Sequence, residues 1–146
     1  MGLVINHTAP LTFRDLGRSQ QLKVAAVRRD DALFQGGPVE PFRGFVLHDS
    51  VRVEERNELL PGVYLSVTSD ALTPLLLDEA ATLRFCLGYA GWGPGQLELE
   101  LKQGSWLFTE ADPRVVLQRE PAQIWEQVIK SMGIDPGWLL PTGGVN

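Results

Sequence analysis

Cysteine and histidine are scarce: Cys86 is the only cysteine, and His7 and His48 are the only histidines, in 146 residues. A single cysteine excludes an intramolecular disulfide. Two histidines without HxH, HExxH or CxxC spacing supply no metal-ligand pattern, so neither a metal nor a cofactor is expected. No Gly-x-Ser-x-Gly elbow is present to raise a nucleophile. No apolar run approaches the length of about 18 residues that crosses a bilayer, so no membrane partner is expected. The opening MGLVINHTAP has no basic region and too short an apolar stretch for a signal peptide, and Asn6 stands where a myristoylation signal has Ser or Thr. These absences give a cytoplasmic expectation. Fixed-period repeats, low-complexity segments and internal linkers are also missing, which favours one domain over residues 1–146 with a flexible tail at 137–146.

What is there suits an ordinary folded domain. The chain is 44% hydrophobic and 21% charged, and a chain of this length buries a substantial core without cross-links. Its net charge of −5 disfavours nonspecific nucleic-acid binding, which needs clustered Lys and Arg. Only residues 1–30 are net basic, through Arg14, Arg18, Lys23, Arg28 and Arg29. The ordinary reading of these is a solvated helix face, and the alternative is a partner surface. Cys86 lies in the apolar TLRFCLGYA and reads as a buried, structural thiol, since nothing nearby would lower its pKa.

The β-branched run Gly2–Asn6 predicts a strand. Thr12 is then a helix cap with Asp15 completing a capping box, and Phe13 and Leu16 face the core of a helix that frays between Arg18 and Gln21. Leu33 and Phe34 form a short strand stopped by Gly36-Gly37-Pro38. Arg43–Asp49 is a strand with Phe45 and Leu47 on one face and Val46 and His48 on the other. Ser50–Glu55 alternates, with Val51 and Val53 inward, and Val63–Asp70 repeats the strand pattern. Ser69 or Asp70 caps a helix through Leu77, with Pro74 required in its first turn. Ala81–Ala90 is the most apolar strand and is placed at the centre of the sheet. In GPGQLELELKQG the alternating leucines argue for a strand. Pro94, the helix-forming composition and Gly104 as a stop argue for a helix, with Leu97 and Leu101 sharing a buried face. The helix is preferred. Ser105–Asp112 and RVVLQ (114–118) read as strands. EPAQIWEQVIKSMGI is a helix with an apolar stripe of Ile124, Trp125, Val128 and Met132, ended by Gly133. Trp106 and Trp125 read as core, while Trp92 sits in a Gly-Pro turn at a surface or groove. Strands outnumber helices without regular alternation, which predicts an α+β fold with a mixed or antiparallel sheet.

Chemistry is reached mainly by elimination. GWGPG lacks the Lys-Ser/Thr of a phosphate loop, and the helix after it opens toward Glu98 and Glu100, which repel phosphate. QGGPVE reads as a tight turn. His48 beside Asp49 matches the way a carboxylate orients a general base, although a lone strand histidine is more often structural. No catalytic residue is assigned.

Taken in order, GLVIN, GGPVEPFRGFVLH, LSVTSDAL, LGYAGWGPGQLELEL..GSWL and IWEQVIKSMGID strongly resemble the bacterial AlgH/YqgE family over nearly the whole chain, Gly2 to about Asp135. The resemblance implies a compact α+β domain with a coiled or bifurcated sheet flanked by helices. The family's name reflects a proposed role in transcriptional regulation, without an accompanying DNA-binding motif, and no enzymatic activity is implied. Its pattern groups Gly36, Gly37, Pro38, Gly44 and His48 in one signature, and Gly88, Tyr89, Trp92, Gly95, Gln96, Leu97, Glu98 and Trp106 in another. His48, Trp92, Gln96, Glu98, Gly36 and Gly37 are therefore the candidate ligand-binding residues. Family members resembling this chain carry roughly two dozen further residues before GLVIN, including a strand, and without it a sheet edge is free for self-association. Three readings follow: a noncatalytic regulatory or interaction protein binding a protein or small ligand, a hydrolase or transferase using His48 and Glu98, and a DNA-binding regulator using the amino-terminal basic residues.

Overall fold

The computed structural model describes residues 1–117 and 120–139. Six strands form one mixed sheet: β1 (Thr8–Thr12), β2 (Ala32–Gln35), β3 (Val39–His48), β4 (Asn57–Leu60), β5 (Val63–Ser66) and β6 (Leu83–Tyr89). Their spatial order is β1-β2-β6-β3-β5-β4, and among the described residues β2–β6 is the one parallel pair. The expected α+β fold with a mixed sheet is present. β6, the most apolar stretch, lies between β2 and β3, as its sequence predicts.

Both faces of the sheet are covered, which explains why its inner strands are apolar on successive residues. On one face, α1 (Phe13–Gln20) and α2 (Ser69–Leu77) pack Phe13, Leu16, Leu75 and Leu76 onto Leu33, Val46 and Phe85. On the other, Leu3 and Ile5 of the amino-terminal segment and Val116 and Leu117 cover Phe34, Phe45 and Cys86. Each fully buried Leu or Phe side chain contributes about 2 kcal/mol.

α1 begins as its sequence requires. The Thr12 N–H donates to Asp15 Oδ2 at 2.8 Å, and the Asp15 N–H returns the bond to Thr12 Oγ1 at 3.4 Å. α3 (Gln96–Lys102) is helical, with Leu97 and Leu101 half-buried and Leu99 exposed. α5 (Ile124–Ser131) is also present, but its buried residues are Ile124 and Ile129.

Several expectations are corrected. Gly2–Asn6 is not a strand: it makes one isolated bridge, Gly2 to Ala90, and crosses the ends of β2 and β6. The first strand is Thr8–Thr12. Ser50–Glu55 is a bend, because the Ser50 hydroxyl donates to Asp78 Oδ2 (2.7 Å) and accepts from the Arg52 N–H, giving the backbone a local alternative to the ladder. Val53 is buried there, whereas Val51 is exposed. α2 is capped by Thr68, and Pro74 is its sixth residue, not in its first turn. Pro74 and Asp70 are both exposed, so the bond that the missing N–H would have made lies on the solvent side. Ser105–Asp112 pairs with no strand among the described residues. Residues 114–117 belong to α4 (Pro113–Val116) and its end, capped by Asp112 with Pro113 at the first position, and Gln118 lies outside the described residues. Trp106 and Trp125 are 47% and 40% exposed, not core. Pro136–Trp138 forms a 3-10 turn where the tail was expected to begin, and the rest of that tail, 140–146, lies outside the described residues.

Candidate functional site

The two glycine signatures meet at one end of the sheet, where β2 and β6 leave it together. Gly36 N donates to the Leu87 carbonyl at 2.8 Å, and the Gly36 carbonyl accepts from Val4 N at 2.8 Å. A methyl group on Gly37 would lie 2.1 Å from the Tyr89 carbonyl carbon, and one on Gly88 would lie 2.4 Å from the Gly37 oxygen. These glycines let two backbones cross in contact. They line neither of the larger cavities of the described fold, so their geometry is that of a crossing and not of a phosphate cradle.

Trp92 follows directly. Its ring lies over Gly2, where a side chain on Gly2 would come within 3.1 Å of it. Its indole N–H donates to Glu100 Oε2 at 3.1 Å. The same oxygen accepts from Trp106 Nε1 at 2.7 Å, and Glu100 Oε1 accepts from Gln96 Nε2 at 2.9 Å. Gln96 Oε1 in turn accepts from the Gly93 N–H at 2.9 Å. The two indoles meet edge to face, 5.8 Å between centroids. One carboxylate thus gathers three donors and pins the turn, α3 and the Ser105–Phe108 segment together. The Trp106 N–H above all, then Gln96 and Trp92, hold its pKa below the ordinary 4.5.

The sign of that shift gives a test. A depressed carboxyl pKa contributes stability that is complete above pH 4.5 and is lost as pH falls through the lowered folded value. Tryptophan fluorescence should therefore change on acidification below pH 4.5, and Glu100→Gln should abolish that step. A step of unchanged size in Glu100→Gln would show that the indoles respond to another group.

The candidate residues therefore separate. Gly36, Gly37, Trp92 and Gln96 share one end of the sheet. Glu98 is exposed on α3, two residues from Gln96, and takes no part in the Glu100 cluster. His48 is at the other end: it pairs across from Leu83, where β6 begins, whereas Trp92 follows Tyr89, where β6 ends. Six strand steps are about 20 Å. His48 is fully buried, and burial lowers its pKa below the ordinary 6.5. Its Nε2 lies 2.9 Å from Ser66 Oγ, and the Ser66 hydroxyl donates to the Glu55 carbonyl at 2.5 Å. A hydroxyl has one proton, so Ser66 accepts from His48, which places the ring proton on Nε2. In that arrangement His48 is a donor to Ser66 and not its base. Cys86 is also sealed, with its thiol pushed up to about 12 by burial.

Two residues that sequence reasoning passed over line the larger cavity. Arg28, expected on a solvated face, is 4% exposed, and Arg84 in the central strand is 3% exposed. Both border a cavity of about 370 Å³. A second, of about 360 Å³ and more apolar, lies between α1 and α2 over Val46 and Phe85. His48 and Glu98 line neither of them. Arg84 carried a signal, a lone cation in an apolar strand. Glu100 carried one too, since it stands four residues from Gln96 on one helix face. Among the described residues no three His, Cys, Asp or Glu side chains are grouped to hold a metal ion, and no helix is long and apolar enough to cross a membrane.

Residues 1–137 match the AlgH-like family model, and the chain belongs to that family. It is 55% identical over 146 residues to a UPF0301 protein of Myxococcus xanthus, covering 100% of this chain and 81% of that protein. A UPF0301 protein of Paracoccus denitrificans is 39% identical, covering 99% of this chain and 79% of its own length. Among solved structures, the solution structure of AlgH from Pseudomonas aeruginosa matches with TM-score 0.72 and 31% identity, covering 100% of this chain and 79% of that one. A Corynebacterium diphtheriae crystal structure shares the fold at TM-score 0.64 and 20% identity, covering 88% of this chain and 69% of that one.

Proposed function

We propose that this AlgH-like protein is a noncatalytic binding protein that takes up a small ligand or a protein partner. The observation that carries the reading is the separation of His48 from the Trp92–Gln96–Glu100 cluster along β6. General acid–base chemistry needs its groups within hydrogen-bond reach of one substrate. Here His48 is committed to Ser66, Glu100 to three donors, and Glu98 is exposed outside both cavities. The hydrolase reading through His48 and Glu98 loses its support on those grounds. The DNA-binding reading is weakened because its basic set is partly spent. Arg28 is buried, Arg14 pairs with Asp30 at 2.7 Å, and Arg29 Nε donates to the Val24 carbonyl at 3.1 Å.

The test is a thermal-shift screen against small metabolites, with mass spectrometry of whatever stabilises the protein. A ligand at one hundred times its Kd should add about 2.7 kcal/mol and be recovered unchanged. Multiple turnover of any compound in the screen would overturn the reading.

A further inference from the structure

The larger cavity holds an arrangement that neither the family signatures nor the Glu100 cluster uses. Its wall contains two buried guanidinium groups, Arg28 and Arg84. Arg28 Nη2 donates to the backbone carbonyls of Asp78 and Ala81. Its Nε is buried without a hydrogen-bond partner, and its side-chain hydrogen bonds to described residues run through Nη2. Arg84 donates through Nη1 to the Ile5 carbonyl and lies 4.3 Å from the centroid of the Phe34 ring. Removing a guanidinium from water is unfavourable unless its donors are satisfied. Backbone carbonyls satisfy Arg28 on one edge only. With Nη2 taken by those carbonyls, Nη1 is the group left to donate single charge-assisted hydrogen bonds to an oxyanion.

The rest of the wall is mixed. Phe13, Phe34 and Leu117 are apolar, while Asp31 and Glu79 are exposed residues at its border. Those two carboxylates oppose an anion, and Asp78, whose own carboxylate accepts from Ser50, Ala80 and Arg52, adds charge near Arg28. The volume, about 370 Å³, is that of a small-molecule site.

We propose that this cavity binds a small organic oxyanion, a carboxylate or phosphate carried on an apolar body, with its charged head on Arg28 and the positive charge of Arg84 in the same wall. This deepens the binding-protein reading and rests on it. The intact protein, labelled with ¹⁵N, is titrated at constant ionic strength with inorganic phosphate, phenyl phosphate, benzoate and the neutral benzyl alcohol. Saturable amide shifts are expected at Ala80, Ala81 and Thr82 with an anion, and weaker or none with benzyl alcohol. Preference for phenyl phosphate over benzoate assigns a phosphate head, and the reverse a carboxylate.

Arg28→Met should abolish binding, but Arg28 also ties two loop carbonyls, so its loss also costs stability. The second variant is Asp31→Asn with Glu79→Gln, both exposed. Removing two opposing charges should tighten the anion about fivefold and leave benzyl alcohol unchanged. Absence of saturable shifts with all three anions, equal binding of benzyl alcohol and benzoate, or an unchanged anion affinity in the double variant would each overturn the proposal. If anions fail while the metabolite screen still finds a ligand returned unchanged, the oxyanion site falls and the binding-protein reading stands. If a bound anion is turned over, the reverse holds.

Discussion

Gly88→Ala should lose about 3 kcal/mol or more of stability, while Gly104→Ala should lose only about 1 kcal/mol. The two glycines share the same backbone angle, φ +73°. The left-handed conformation costs a residue with a side chain roughly 1–2 kcal/mol wherever it occurs. At Gly104 that is the whole cost, because a new methyl group meets nothing within 4 Å. At Gly88 the methyl group would lie 2.4 Å from the Gly37 oxygen and 3.0 Å from the Val39 oxygen, and both are backbone atoms that cannot swing aside. Forcing them apart adds the roughly 1–3 kcal/mol of an overpacked core. It also disturbs the contacts that join the amino-terminal segment to Ala90 and Gly36. Urea denaturation of the two variants measures the difference directly. Equal losses would mean that Gly88 serves only its turn and that the crossing of β2 and β6 is soft.

That comparison marks what was legible in the sequence. Local sequence signals set the structure where one physical cause acts alone. Thr12 and Asp15 bond each other and start α1, Gly104 and Gly133 take positive φ after their helices, and the apolar run at Cys86 lies mid-sheet. Such signals mislead where two local causes compete. Val115 and Val116 suggested a strand, but Asp112-Pro113 is a cap followed by a proline at the first helical position, and the cap prevailed. Val51 and Val53 alternate as in a strand, but Ser50 draws the chain toward Asp78.

The candidate site was legible in composition and not in geometry. Trp92 and Gln96 do converge, yet on Glu100 and not on His48 or Glu98, while Gly36 and Gly37 serve the backbone crossing beside them. His48 shares a signature with Gly36 and Gly37, yet it pairs with Leu83 at the far end of β6, about 20 Å along the strand. Arg28 could not be found from its neighbours at all. Its burial depends on the loop from Asp78 to Ala81, fifty residues away in the chain.

Cys86 supplies the second large effect. At pH 8 it should react with iodoacetamide about a thousandfold more slowly in the folded protein than an ordinary cysteine, because its thiol is raised from 9.0 to about 12. Burial between Phe34 and Phe45 in the sheet is the main cause, and the nearby Arg84 charge only partly offsets it. The thiolate is the reactive form, so each unit of the shift removes a factor of ten. The side chain is also fully enclosed, so alkylation has to await opening of the central strand. Urea at concentrations approaching the unfolding midpoint should therefore restore the rate of a free cysteine. The same shift fixes a pH dependence. A raised folded pKa contributes stability that is complete below pH 9.0 and is lost as pH rises through the folded value. Wild type should therefore lose more stability than Cys86→Ala above pH 9. Labelling within tenfold of a free cysteine under native conditions would mean that β6 opens readily, and that Cys86 is available as the nucleophile which its burial argues against.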